Sequence, residues 1–196
     1  GTEGIYDAPA VQIAENNTIN LRLAYTVDVS DELDIELGAS AQQGDMHDGT
    51  SSVGDQSAYA LHLVGDYGPW NLQLQTATYE YDMDSGDQVM VVGAYSFYDS
   101  IAAEADIHTA NIAYSLPVSF GAITNLTFYN DYSVVTGKSA DLEDTTMNVT
   151  GVAISAGGIY AYVDLINATN QPFIGGTMVG DGDSEQRLNI NVGYYF

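Results

Sequence analysis

The chain of 196 residues carries 27 acidic residues against three basic ones, Arg22, Lys138 and Arg187, for a formal net charge of −24. Three cations cannot build a patch that neutralises phosphates, so nucleic acid is excluded as a partner, and the absence of cysteine removes disulfides and thiol chemistry. No apolar run approaches the ~18 residues of a membrane-spanning helix; a mean hydropathy of −0.05 with 45% hydrophobic residues suits strands that show only alternate residues to an apolar surrounding.

Residues 1–4 (Gly-Thr-Glu-Gly) lack the basic and apolar parts of a secretory leader, so a leader is expected to have been removed or to lie outside this sequence. Residues 1–18, with Pro9, Asn16 and Asn17, read as a loop or a frayed strand. From 19 to 29 the pattern has a period of two: Ile19, Leu21, Leu23, Tyr25, Val27 and Val29 face one way, and Asn20, Arg22, Ala24, Thr26 and Asp28 the other. A turn at 30–32 leads into the same alternation over 33–40, giving a hairpin with one apolar and one polar face. The Gly-rich polar stretch 42–56 reads as an exposed loop.

Strands are expected over 57–66 and 70–81, joined by the turn Tyr67-Gly68-Pro69-Trp70, then over 88–98, 107–116, 122–132, 146–155, 159–166 and 187–196. That is about ten antiparallel strands in one all-β domain and no helix. Short turns and long polar connections such as 135–145 and 168–186 share the links between them. The last strand, Arg187 to Phe196, alternates strictly, with Leu188, Ile190, Val192, Tyr194 and Phe196 on one parity, and ends on an aromatic. Membrane barrels place aromatics as a girdle at the interface, and Tyr67, Trp70, Tyr194 and Phe196 are the candidates for it. Counted backwards from this strand, however, the 67–70 turn falls on the end where long loops belong. Either the count is off by one, or part of 88–106 is not a wall strand.

A terminal Phe preceded by alternating apolar residues resembles the closing strand of Gram-negative outer-membrane barrels. Two further stretches, DIHTANIAYSLP at 106–117 and NLTFYNDYSV at 125–134, resemble porins of the general-diffusion and phosphate-selective type. The resemblance covers about half the chain and implies the C-terminal part of a transmembrane β-barrel of roughly sixteen to eighteen strands. It further implies an outer-membrane location in contact with lipid, a homotrimer, and passive diffusion of small hydrophilic solutes and ions, with no reaction and no cofactor.

In such a barrel the polar parity would line the lumen. The candidates are Arg22, Asp28, Asp34, Glu36, Gln73, Gln75, Asn111, Asn125, Asp131, Asp164, Arg187, Asn189 and Asn191, with Glu104 and Asp106 as constriction candidates if their segment folds inward. This lining is acidic, which departs from the basic ladder of phosphate-selective porins and points to cation preference. Two other readings use the same strands: a non-conducting barrel with working acidic loops for adhesion or ligand binding, and a secreted soluble β-sandwich binding calcium or carbohydrate. Catalysis lacks support, since the histidines His47, His62 and His108 lie apart in sequence and the Asp45-to-Gly49 loop holds only one of them. Asp181, Asp183 and Glu185 offer calcium-type ligands without completing an EF-hand loop.

Overall fold

The computed structural model describes residues 13–94 and 97–196. Period-two patterning becomes an antiparallel ladder: β1 (Ala14–Ser30), β2 (Leu33–His47), β3 (Ser52–Tyr67), β4 (Trp70–Met83), β5 (Val89–Ala94), β6 (Phe97–Ala102), β7 (Glu104–Phe120), β8 (Ile123–Thr136), β9 (Thr145–Ala156), β10 (Ile159–Thr169) and β11 (Ser184–Tyr194). Nine of these form one sheet in the order β1-β2-β3-β4-β7-β8-β9-β10-β11, and β5 and β6 form a separate hairpin. The sheet is open: among the described residues, β1 and β11 are not paired with each other. Two short 3₁₀ turns, Ser139–Asp141 and Pro172–Ile174, sit in the connections, and no described helix is long and apolar enough to cross a membrane.

Three corrections to the sequence reading follow. The expected strand 88–98 is not in the wall, because β4 pairs directly with β7 and the segment between them folds on itself as β5 and β6. The part of 1–18 from Ala14 onward, read as a loop or a frayed strand, is a ladder strand paired with β2; residues 1–12 lie outside the described residues. The expected loop 42–56 shrinks to 48–51, because β2 and β3 continue through polar residues from Gln42↔Ala58 to Met46↔Gly54. Backbone donors and acceptors pair irrespective of side chain, so polarity alone does not end a strand.

With 88–98 removed from the wall, the two ends of the sheet separate cleanly. Links 31–32, 68–69, 121–122 and 157–158 are two-residue turns at one end, where Phe196 also lies. Gly68, Gly121 and Gly157 open three of them at φ of 55°, 61° and 61°, the left-handed start that matches hairpin twist. The links at the opposite end are longer and carry the β5–β6 hairpin and both 3₁₀ turns.

One face holds the apolar parity of every strand of the large sheet, and outside β9, where Val152 and Ile154 are half-buried, it is exposed: Leu23 is 67% exposed, Tyr25 73%, Leu61 60%, Ile190 64% and Val192 66%. Each such side chain left in water forgoes about 1.5–3 kcal/mol of burial. The few buried apolar residues cluster elsewhere, as Met46, Met83, Met90 and Ala103 with Val53, Tyr81 and Ile101 packed around them. Along the strands the apolar residues give way to polar ones towards the long-loop end, and that boundary slopes. It lies at Ile19 on β1 but at Leu188 on β11, whose ladder row passes through Leu165 and Ile112 to Val27. The displacement is about 26 Å along the strands over about 38 Å across them, a slope of about 35°.

The opposite face packs tightly around Gly151. Gly151 lies between Tyr129 on β8 and Asp164 on β10, and a Cβ there would stand 2.6 Å from the Tyr129 hydroxyl and closer still to the Asp164 carboxylate. Gly151→Ala must therefore displace that pair, at a cost of about 1–3 kcal/mol. Chemical unfolding of the folded protein should show this loss, and an unchanged unfolding midpoint would refute the crowding.

Candidate functional site

Antiparallel register carries each residue to its partner on the same face, so the polar side can be read row by row. One row runs Asp28, Asp34, Asp66, Asn71, Ala113, Tyr129, Gly151, Asp164, Asn189. The next, one step towards the long loops, runs Thr26, Glu36, Val64, Gln73, Asn111, Asp131, Val149, Ile166, Arg187. By the same parity Arg22, Gln75, Asn125 and Asn191 belong to this face, which gathers all the lining candidates.

Within these rows the carboxylates meet differing surroundings. Asp28, Asp34 and Asp66 face one another across adjacent strands, an arrangement that like charges make unfavourable. Asn71 Nδ2 relieves it by donating to Asp66 Oδ1 at 2.7 Å, and Gln73 Nε2 donates to Asn71 Oδ1 at 2.9 Å. Asp164 is buried and fully engaged, accepting from the Tyr129 hydroxyl and from Asn189 Nδ2, the latter at 2.9 Å. Glu36 Oε1 accepts from Arg22 Nη2 at 3.1 Å and lies 3.0 Å from His62 Nε2. These groups border a polar hollow of about 350 Å³ with Gln73, Gln75, Thr109 and Asn111. Arg187 turns to the Phe173 carbonyl at 3.2 Å.

The hairpin β5–β6 packs at the long-loop end of this same face. Its Met90 joins Met46 of β2 and Met83 of β4, and the Tyr79 hydroxyl donates to the Ala102 carbonyl at 3.0 Å. From there it reaches the connection between β10 and β11, four ladder steps away from β4. Asp99 is the fastener: Oδ1 accepts from the Thr177 hydroxyl at 2.6 Å and Oδ2 from the Met178 N–H at 3.2 Å. Lys138, buried, secures the same connection by donating at 2.7 Å to the Glu143 carbonyl, the Thr145 hydroxyl and the Met178 carbonyl. Burial pushes its pKa down, while the charges of Asp144 and Asp99 oppose that shift. Asn170, also buried, donates to the Asp144 carbonyl at 3.0 Å and accepts from the Gly182 N–H at 3.0 Å.

The constriction and calcium candidates lie apart from the lining rows. Glu104 and Asp106 start β7 and pair with Glu80 and Thr78, which sets them on the apolar-parity face, opposite the lining candidates. The residues of that segment that do meet the polar face include Met90, Ala102 and Ala103, while Asp99, which no local motif marks, reaches the connection beyond β10. Asp181 and Asp183 are exposed loop residues, and Glu185 lies on β11; among the described residues no three carboxylates, histidines or cysteines gather as a metal site. Asp48 is spent on its own loop, accepting from the N–H groups of Thr50 at 2.7 Å and Ser51 at 2.8 Å, which hold its carboxyl below the usual carboxylate range.

On the apolar-parity face the aromatics form a group near the two-residue turns. Tyr67 pairs with Trp70, whose ring lies 4.7 Å from that of Tyr114, with Phe128 next in the row. Tyr194 and Phe196 stack at 6.2 Å. Tyr114 and Phe128 escaped the sequence reading because only register brings them beside Trp70.

Asp99→Ala removes the side-chain tie between hairpin and far loop without touching the wall ladder. Cleavage at Tyr98 by an aromatic-directed protease should then be about tenfold faster or more, as expected for bonds to a charged group worth about 1.5–3 kcal/mol, with unchanged unfolding of the sheet. Equal cleavage rates would show that the tie is idle. No protein-family model matches this sequence, and neither a curated protein nor a solved structure is significantly similar to it.

Proposed function

We propose that this sheet is one arc of a transmembrane β-barrel in a Gram-negative outer membrane. Its polar face borders a water-filled path through which small hydrophilic solutes and ions diffuse, cations in preference to anions. The carrying observation is the apolar parity, which exposes large apolar side chains on eight of the nine strands, Val152 and Ile154 of β9 being half-buried, with no second sheet packed on it among the described residues. A soluble sandwich buries that parity between sheets. Hydrocarbon covers it equally well, and only closed strand structures or helices satisfy their backbone there.

Three further features support the reading. The slope of the apolar boundary, about 35°, is the tilt that barrel strands take to the membrane normal, about 35–45°. Two-residue turns at one end and long links at the other match periplasmic and external ends. Edge strands β1 and β11 run in the same direction, so antiparallel closure takes an odd number of further strands. Seven or nine would bring the total to roughly sixteen or eighteen, wide enough for an aqueous channel. The resemblance to porins extends the proposal to a homotrimer, and the uncompensated Asp28, Asp34 and Asp66 supply the cation preference.

A second reading, a non-conducting barrel whose acidic loops bind a ligand, is favoured by the β5–β6 hairpin tied across the long-loop end of the polar face. Planar-bilayer recording of detergent-extracted protein under a salt gradient separates the two. Discrete current steps with a cation-selective reversal potential are expected, and folded protein that passes no current would overturn the channel and leave the loop-binding barrel.

A further inference from the structure

Of the chain's three histidines, only His62 stands on the polar face. His108 pairs across the other face with Thr76, bonded at 2.9 Å, and His47 ends β2, where its Nδ1 accepts from the Gly49 N–H at 2.9 Å. The His62 ring lies over Gly38, its direct cross-strand neighbour; a Cβ there would be 2.6 Å from Nε2 and 2.9 Å from Nδ1. Glycine thus lets the ring lie flat against the strand and reach Glu36 at 3.0 Å, with Arg22 Nη2 3.3 Å away. Thr26 completes the group by donating to Glu36 Oε2 at 3.4 Å.

The charge sum of this group turns on the imidazole. With His62 neutral, Arg22 and Glu36 cancel, and the negative charge of the face comes from its other carboxylates, among them the Asp28, Asp34 and Asp66 row and Asp131. A proton on His62 leaves the group at plus one. The titratable or charged side chains facing it are Arg22 and Asp28 from β1, Glu36 and Asp34 from β2, and Asp66 from its own strand; β4 and β7 offer neutral Gln73, Gln75, Thr109 and Asn111. Histidine is the side chain whose charge ordinarily changes between pH 5 and 8.

We infer that His62 is a selectivity-determining residue of the proposed channel, its protonation turning the Arg22–Glu36–His62 group from neutral to positive and weakening cation preference in acid. The inference rests on the channel reading. Salt screens a lone charge beyond about 10 Å at 0.1 M and about 30 Å at 0.01 M, so the effect belongs to low ionic strength.

The test is the reversal potential at low ionic strength, at about pH 8 and about pH 5.5, where ordinary carboxylates stay charged. The unaltered protein should lose about half its cation-to-anion permeability ratio on acidification. His62→Gln should abolish that change, His108→Gln should keep it, and Arg22→Gln should raise the ratio at both pH values by removing one positive charge from the group. A fall that survives in His62→Gln, or a ratio in the unaltered protein that ignores pH, overturns the inference while the channel stands. Absence of any current overturns both.

Discussion

Lateral pairing of backbone groups is the constraint on which the rest depends. Nine strands share one ladder, and its register shifts fall near strand ends, between Asn16 and Ile19, Asp28 and Ser30, Met46 and His47, and Pro117 and Phe120. Between those points no residue is inserted, so each strand keeps its parity from end to end. A single slip in β4 would exchange Leu72 and Leu74 with Gln73 and Gln75, and the two faces would lose their separate characters. Parity therefore fixes both the apolar surface and the polar rows with one rule.

That rule explains what could be read in advance. Arg22, Asp131 and Asn189 lie far apart in sequence, yet each sits on the polar parity of an alternating strand, and the face follows from the count. Lateral neighbours do not follow. The segment 88–98 contains apolar residues enough for a strand, and whether it joins the wall depends on what β4 finds beside it, which is β7. Glu104 and Asp106 were misplaced for the same reason, since one residue of uncertainty at the start of β7 exchanges faces. Asp99 and Lys138 were out of reach altogether, because their partners Thr177 and Met178 are brought near by the sheet as a whole.

The placing of cations is as informative as the excess of anions. Lys138 is buried among oxygens at the long-loop end, Arg22 is matched to Glu36, and Arg187 turns to a carbonyl. Each basic group is thereby held by an oxygen partner, while several carboxylates, among them the Asp28–Asp34 pair, have carboxylates for neighbours. The negative field is a consequence of this pairing as much as of composition.

The same scarcity has a practical side. An enzyme that cleaves after lysine and arginine has three sites in the whole chain, after Arg22, Lys138 and Arg187. Two lie within ladder strands and the third follows a side chain buried under a loop. Resistance to trypsin therefore reports on those three positions alone and leaves most of the sheet unprobed.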